Sequence, residues 1–491
     1  MNTKGFYTSK HIIGGTTWIF LAEILIIPTG LITVAFLTRK LGPEGYGQFT
    51  LAITIVIWLE LTITAAFSRS IEKLVSEVHD WRLIGASAVR LHLVIGVVTA
   101  VVLWGLSVPI SMLLNEPVLA SYLRLFAIDI PIFCLAQAHK SILVGMGRFH
   151  ERALTSAGRW SSRVVLIVMF VELGLSLEGA IFGSIGASVV ELVVGRFYIR
   201  PPLFKRTTVA VRQLWFYALP LFFYVISVRI FEKLDLYALK MLGGTAAQAG
   251  YYGAAQNLAL LPGIFAMALV PPLLSSLSRI LRDGEKERAQ TTASNALRVM
   301  FWLLPIAGMI AGAGEEISEF VFGPNFHSSG PLLAVLIFGA VARSIIAVAT
   351  SVMIANNRPD LPIKLFGPLI PLSIFCYTIV IPNYQAVGAA YVTTLSACAT
   401  ALIMVAAIYR MWHVKPSIAT LLCCSLASVL AWALSAAWPT HDSYLLIKLC
   451  VICFLIGLGL FLFGEFSVSH FRSLWSVFSK ESLAVSTAED I

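Results

Sequence analysis

Charge is scarce in this sequence. Asp, Glu, Lys and Arg make up 12% of its 491 residues, roughly half the share of a soluble domain, too little to cover a soluble surface of that size. No G-x-x-x-x-G-K-[ST] loop is present, which argues against nucleotide hydrolysis, and no H-E-x-x-H, G-x-S-x-G or zinc-ligand spacing occurs. The histidines are scattered, and the longest external connection, about residues 314 to 330, is too short for a catalytic domain. The 7 cysteines all fall within apolar stretches. Cys450-x-x-Cys453 has metal or redox spacing but no partner pair, so these cysteines read as small buried hydrophobes without a disulfide framework. Neither an enzyme, a metal site nor an organic cofactor is expected.

What is abundant is apolar length: 58% of residues are hydrophobic. About fourteen apolar stretches fall near residues 12–37, 46–66, 84–113, 118–144, 155–174, 177–199, 213–241, 248–274, 293–313, 331–355, 361–382, 386–409, 417–438 and 443–464. Each is long enough at about 1.5 Å per residue to cross a hydrocarbon core of about 30 Å. The chain is therefore expected to be an all-α polytopic membrane protein. Lys and Arg concentrate at the N-terminus and in the even-numbered connections, among them Arg69, Lys73, Arg148, Arg152, Arg206, Lys286, Arg358, Lys415 and Arg472. The odd-numbered connections carry only Arg39, Lys40, Lys233 and Lys240. By the positive-inside rule both termini are cytoplasmic and the number of crossings is even. The net charge of +9 is this cytoplasmic excess, facing lipid headgroups and not nucleic acid. The first stretch lacks a small-residue cleavage site and reads as a retained helix.

Short motifs recur at a nearly constant displacement. Leu41-Gly42-Pro43-Glu44-Gly45-Tyr46-Gly47 is echoed by Leu242-Gly243 and Gly250-Tyr251-Tyr252-Gly253, Gly145-Met146-Gly147-Arg148 by Ala355-Asn356-Asn357-Arg358, and Leu177-Glu178-Gly179-Ala180 by Ala386-Val387-Gly388-Ala389. This predicts two pseudo-symmetric six-helix bundles, residues 1–206 and 207–415, then two extra helices over 416–466 and a cytoplasmic tail over 467–491. Amphipathic spacing in 71–81 and around Phe471 to Phe478 predicts two surface helices on the cytoplasmic leaflet.

Ionisable groups inside the stretches carry the functional information, because each costs about 2.5–3.5 kcal/mol at a helix centre. Glu23, Glu60, Asp129 and Arg343 count to mid-membrane depth. Nearer the ends lie Arg90, Arg124, Lys140, Arg159, Arg163, Arg229 and Arg298. Arg159 and Arg163 share a helix face and can grip two phosphate oxygens, whereas Lys140, Arg90 and Arg298 read as side chains snorkelling toward the headgroups. Arg229, Glu232, Lys233 and Asp235 form a mixed cluster suited as well to internal pairing as to substrate contact. Prolines within the stretches, including Pro131, Pro262, Pro271, Pro272 and Pro305, predict bent helices. Gln256-Asn257 suits helix contacts or a sugar.

On Arg39 to Gly47, the Asp235 region leading into Gly250 to Ala255, Phe322-Gly323-Pro324-Asn325-Phe326 and Gly388-Ala389-Ala390, the chain resembles the oligosaccharide and polysaccharide (O-antigen-type) flippases of the multidrug/oligosaccharidyl-lipid/polysaccharide exporter superfamily. The resemblance covers essentially the whole chain. It implies movement of an undecaprenyl-diphosphate-linked oligosaccharide to the outer leaflet of a bacterial or archaeal inner membrane, for surface polysaccharide or lipopolysaccharide assembly. It further implies a cationic cavity between the bundles, for which Arg90, Arg124, Arg159, Arg163, Arg229 and Arg343 are candidates. Glu23, Glu60, Asp129 and Asp235 become candidates for a coupling H+ or Na+. Its partners would be the lipid-linked substrate, membrane lipids and polysaccharide polymerase or assembly proteins. A multidrug antiporter of the same fold, a lipid II flippase and a membrane-embedded polymerase or ligase are the competing readings. The abundance of Lys and Arg within spans favours an anionic cargo over a cationic drug, and the missing catalytic loop disfavours the enzyme.

Overall fold

The computed structural model describes residues 18, 22, 24–78, 80–201, 233–412, 418–440 and 444–462. Glu23, Arg229, Glu232, the expected boundary at 206/207 and the tail helix near Phe471 to Phe478 lie outside them. Among the described residues the regular structure is all helical. Ten helices are long and apolar enough to cross a membrane, three of them with 51, 50 and 53 residues. Fifty residues rise about 75 Å, more than two core thicknesses. Each of the three holds a residue in the left-handed region that breaks its course: Gly42, Gly174 with Ser176, and Gln385.

The chain divides into two compact units, Met1–Gly250 and Tyr251–Ile491. The first contains α1 (Ile26–Ser76), α2 (Trp81–Leu113), α3 (Leu119–Phe126), α4 (Asp129–Gly145), α5 (Phe149–Phe170), a π-helical turn (Val171–Leu175), α6 (Ser176–Tyr198), α7 (Leu234–Met241) and the start of α8 (Ala246–Leu258). Helix α4 lies at the centre, packed on α1, α2 and α6. Helices α5 and α6 form an antiparallel hairpin in which Gly179 lies against Phe170 and Gly183 against Ile167. An added Cβ on Gly183 would come within 2.6 Å of Ile167 N. Both contacts converge on the reversal at Gly174 and Ser176, so the glycines permit the close approach.

The second unit continues with α9 (Leu261–Arg282), α10 (Lys286–Phe301), α11 (Leu303–Gly312), α12 (Gly314–Phe322), α13 (Ser329–Ala355), α14 (Asp360–Phe366), α15 (Leu369–Trp412), α16 (Ile418–Ala437) and α17 (Tyr444–Leu462). Here α13 is central, packed on α9, α11 and α15. The two arms of α15 fold back about Gln385: Ser373 Oγ donates to Ser396 Oγ at 2.9 Å, and the Tyr377 and Thr393 hydroxyls meet at 2.9 Å. Helix α17 is tied in by Lys448, fully buried, whose Nζ donates to Glu316 Oε2 at 2.7 Å. Asn257 Nδ2 donates to Gly253 O within its own helix.

Three expectations need correction. Residues 71–76 do not form a separate surface helix. Ile63, Phe67, Ile71 and Val75 are all buried and repeat every fourth residue, so the stripe of the second apolar stretch runs on to the end of α1. The true break is at Asp80, whose carboxylate accepts from Arg82 N and caps α2. Second, Pro131, Pro262 and Pro305 stand in the first turns of α4, α9 and α11. They divide apolar stretches instead of bending them, since the first turn is where a missing N–H goes unnoticed. Third, Cys450 and Cys453 are exposed on α17 and not buried, although Cys453 Sγ still reaches Met309 Sδ at 3.7 Å; apart from Lys448 that helix is apolar on every side, so hydrophobic periodicity could not say which face turns inward.

The repeated glycine motifs meet within the first unit. A Cβ on Gly47 would fall on the carbonyl of Ala246, and one on Gly250 on the carbonyl of Pro43. Gly250→Ala should therefore destabilise the protein by on the order of 1–3 kcal/mol, the usual penalty of overpacking. Gly105→Ala, at a helical site with open space around it, should be neutral or slightly stabilising. Thermal unfolding followed by size-exclusion chromatography would distinguish the two.

Candidate functional site

The interior of the first unit holds a cluster of six charged side chains from four helices. Glu60 on α1 and Asp129 at the start of α4 are each 3% exposed, and Glu191 on α6 is fully buried. Lys140 on α4 donates to Glu191 Oε1 at 3.0 Å, and Arg159 on α5 donates through Nη1 to Glu191 Oε2 at 2.9 Å. The other arm of that guanidinium stands 3.6 Å from Glu60 Oε2. Phe133 lies beneath it, with the guanidinium carbon 4.3 Å from the ring centre. Arg163, one turn further along α5, and Ser188 on α6 complete the surroundings of Glu60 and Asp129.

The hairpin explains the pairing. Arg159 and Glu191 stand equally far in sequence from the reversal near residue 175, in the same register as Ile167 and Gly183. The cluster joins three acids to three bases, and its charges balance when all are ionised. Uncompensated, any one of them would be costly in this interior.

The candidates from the sequence thus separate into groups. Glu60, Asp129, Arg159 and Arg163 come together, so residues expected to act separately on cargo and coupling ion share one place. Arg159 commits its guanidinium to Glu191 and Glu60, and in this state it has no free fork for a phosphate. Lys140 does not snorkel: its side chain is 12% exposed and paired with Glu191. Arg90 is half-buried on α2, its Nε donating to Ala86 O at 3.3 Å. Arg124 is exposed on α3, donating to Ser107 Oγ at 3.0 Å and lying over Trp104. Asp235 is buried in the first turn of α7, where its carboxylate accepts from Leu236 N. Near it in sequence Lys240 pairs with Glu116 at 2.9 Å.

In the second unit Arg343 is exposed halfway along α13, the central and otherwise uncharged helix. Among the described residues it makes no ion pair. A groove of about 430 Å³ between α11, α13 and α16 is lined by Leu304, Phe338, Val429 and Trp432 with Ser425 and Ser428. It offers no charge to an anionic headgroup.

Sequence reasoning missed two residues. Glu191 was hidden in an apolar stretch, although the reversal at residues 174–176 would have placed it opposite Arg159. Lys448 was overlooked in the last stretch, and its partner Glu316 lies too far away in sequence to suggest it.

The comparisons with known proteins agree with this architecture. The profile of the family described as "Polysaccharide biosynthesis protein" matches residues 12–278, more than half of the chain. The chain belongs to that family. It is 23% identical over 384 residues to the "Probable low-salt glycan biosynthesis flippase Agl15" of Haloferax volcanii, covering 77% of this chain and 79% of that protein. It is 24% identical over 366 residues to the lipopolysaccharide biosynthesis protein WzxC of Escherichia coli, covering 72% and 71%. In fold it is similar to the lipid II flippase MurJ in an inward closed conformation, with a TM-score of 0.70, 16% identity and coverage of 96% of this chain and 100% of that one. An inward-facing multidrug MATE transporter gives a TM-score of 0.67 at 13% identity, covering 80% and 96%. The family member described here is a multi-pass membrane transport protein and not an enzyme.

Glu191 is the centre of the cluster's compensation. Glu191→Ala would leave Lys140 and Arg159 buried without it, at a cost of about 3–5 kcal/mol, and should reduce the amount of folded protein in the membrane. The double substitution Glu191→Ala with Lys140→Met should recover part of that loss. Quantitative blotting and thermal unfolding of purified protein would measure both.

Proposed function

We propose that this protein is a flippase that moves a polyprenyl-diphosphate-linked oligosaccharide from the cytoplasmic to the outer leaflet, supplying surface polysaccharide assembly. It works by alternating access in the inner membrane, with both termini in the cytoplasm, and draws on an ion gradient. The observation that carries the reading is kinship: the chain belongs to a polysaccharide biosynthesis family, and the relatives above are named as a glycan flippase and a lipopolysaccharide biosynthesis protein.

Two features of this chain support it. An exposed guanidinium halfway along an apolar helix is expensive unless it faces a polar space or an anion, and Arg343 is such a group. Its planar fork suits the paired oxygens of a diphosphate. The balanced cluster around Arg159 suits a different task. Its acids, Glu60 and Asp129, are the candidates for the coupling H+ or Na+, because neutralising one of them unbalances its partners and alters the packing of four helices. The product would pass to the polymerase or assembly proteins that extend or export the polysaccharide.

The direct test is movement of a lipid-linked oligosaccharide between leaflets of reconstituted vesicles. The wild-type protein should accelerate it, and absence of movement with a family of such substrates would reject the reading. Arg343→Ala should abolish movement while the protein remains abundant, since exposure of this residue makes a folding role unnecessary. Arg343→Lys should retain only part, because a point charge does not reproduce the fork. Undiminished movement with Arg343→Ala would remove Arg343 from the pathway of the headgroup.

A further inference from the structure

Two buried imidazoles lie beyond the charged cluster, and transport as described gives them no task. His92 on α2 and His139 on α4 are 0% and 1% exposed. In each ring Nδ1 lies against the carbonyl oxygen four residues back, Ala88 O at 3.0 Å and Leu135 O at 2.7 Å. A carbonyl only accepts, so Nδ1 carries the hydrogen and the neutral ring keeps a lone pair at Nε2. Neither Nε2 has a partner among the described residues. The two rings are within electrostatic reach of each other, although nothing in their sequence spacing suggested it.

The unpartnered atoms continue toward the cluster. Ser68 Oγ, Ser156 Oγ, Arg159 Nε, Arg163 Nε, Glu60 Oε1 and Asp129 Oδ1 are buried and without partners among the described residues. By helical rise, Ser68 lies about 12 Å beyond Glu60 on α1, and His139 about 15 Å beyond Asp129 on α4. Ser156 stands one turn before Arg159 on α5, on the side of the helix's start. The aromatic neighbour of Ser68, Phe67, packs on His92 with ring centres 6.1 Å apart. All these displacements lead to the end of the unit that holds Arg148, Arg152 and Arg196, the end assigned to the cytoplasm. Helix α6 closes the wall, since a Cβ on Gly195 would come within 3.1 Å of His139 Cβ.

Buried polar atoms almost always have a partner, whether protein or water, and one internal water commonly serves about three of them. A line of internal waters would satisfy such a file of atoms, which runs about 15 Å through one bundle. It ends at two carboxylates flanked by guanidinium groups. A metal cation would need several oxygen ligands and would meet that positive charge, whereas a proton needs one lone pair.

We propose that the coupling ion is a proton, passed between the cytoplasm and the Glu60–Asp129 pair along a hydrated column in which Nε2 of His139 and of His92 are the relay atoms. The proposal rests on the coupled-transport reading. In each hop an O–H bond of a hydronium ion breaks, leaving water, as an N–H bond forms at Nε2. The imidazolium then yields that proton to the next water and returns to its Nδ1–H form. At the inner end the proton bonds to Glu60 Oε1 or Asp129 Oδ1. A neutral Glu60 no longer attracts Arg159, whose guanidinium is then left to Glu191. The charged groups that face this route are Glu60, Arg69 and Glu72 on α1, Asp129 and Lys140 on α4, Arg152, Arg159 and Arg163 on α5, and Glu191 and Arg196 on α6, with Arg90 two residues before His92 on α2.

The test uses the full-length chain in liposomes without substrate, followed by infrared spectroscopy after a pH jump. A protonated-carboxyl band should rise as the pH falls and be lost when Glu60→Gln and Asp129→Asn are combined. His139→Ala should leave the final size of the band unchanged and slow its rise roughly tenfold or more, a modest share of the ~10²–10⁴ that a positioned proton-transfer group contributes. Free imidazole should restore the rate, while pyrrole, similar in shape but without a basic nitrogen, should not. If His139→Ala fails to fold, His139→Gln fills the space and cannot carry the proton, and it should show the same slowing. Absence of the band in the wild type, its survival in the double substitution, or an unchanged rate when His92→Ala and His139→Ala are combined would overturn the proposal. Because no lipid-linked substrate is present, a negative result here leaves the flippase reading standing. A normal carboxyl titration with no flipping in vesicles would reject that reading instead.

Discussion

The contact between Arg159 and Glu191 across the α5–α6 hairpin, 2.9 Å long, is the constraint from which the interior of the first unit follows. A bilayer core offers no water to a stray charge, so each ionised group must find its compensation in the protein. Once the reversal at Gly174 and Ser176 sets the hairpin register, Arg159 meets Glu191. The remaining Glu191 oxygen draws in Lys140 from α4, and the remaining arm of Arg159 approaches Glu60 on α1. Four helices are thereby held in one relative position by charge as well as by packing. Apolar contacts alone are weakly selective in lipid, where hydrocarbon is equally good solvent for a leucine.

Much of this architecture was legible in the sequence, because the bilayer imposes length and charge rules that act residue by residue. The apolar stretches 155–174 and 177–199 meet at the observed reversal, and 361–382 and 386–409 flank Gln385. The candidate acids Glu60 and Asp129 were visible by depth counting. What was not legible depends on which faces of different helices meet. Arg159 looks equally suited to a phosphate and to a buried acid until Glu191 is found opposite it. Lys140 looks like a snorkelling lysine until α6 is packed on α4. The histidines looked scattered because His92 and His139 are neighbours only across helices. Where apolar periodicity persisted through charged residues, as from Ile63 to Val75, the charges were mistaken for a helix end.

The structure distinguishes two settings of intramembrane charge. Charges in the buried cluster have partners, and under the proposed function their value would lie in the change that follows when one is neutralised. Arg343 is exposed, stands on the central helix of the second unit and has no ion pair among the described residues; under the same proposal its value would lie in remaining available. A transporter that carries an anionic headgroup needs both kinds. A cation held inside a balanced network cannot also be offered to a cargo without first losing its partner, which is why Arg159 and Arg343 suit different steps.

Each unit also contains a carboxylate that gathers a buried lysine. In the first, Glu116 from the connection after α2 receives Lys240 at 2.9 Å and Gln48 at 3.1 Å. In the second, Glu316 in α12 receives Lys448 at 2.7 Å and both the backbone N–H and the hydroxyl of Thr440 at 3.1 Å. The lysines are almost entirely buried in both cases, so each ammonium depends on its carboxylate for the compensation that water would otherwise give. Within the first unit the two ends are tied differently. At one, Glu116 receives Lys240 and Gln48, with the buried Tyr237 hydroxyl one turn before Lys240 left without a partner among the described residues. Toward the other, the unpartnered atoms are His139 Nε2, His92 Nε2 and Ser156 Oγ, and the proposed proton route takes that direction because these atoms lead from Glu60 and Asp129 to the arginine-rich end, where a proton can be exchanged with the cytoplasm.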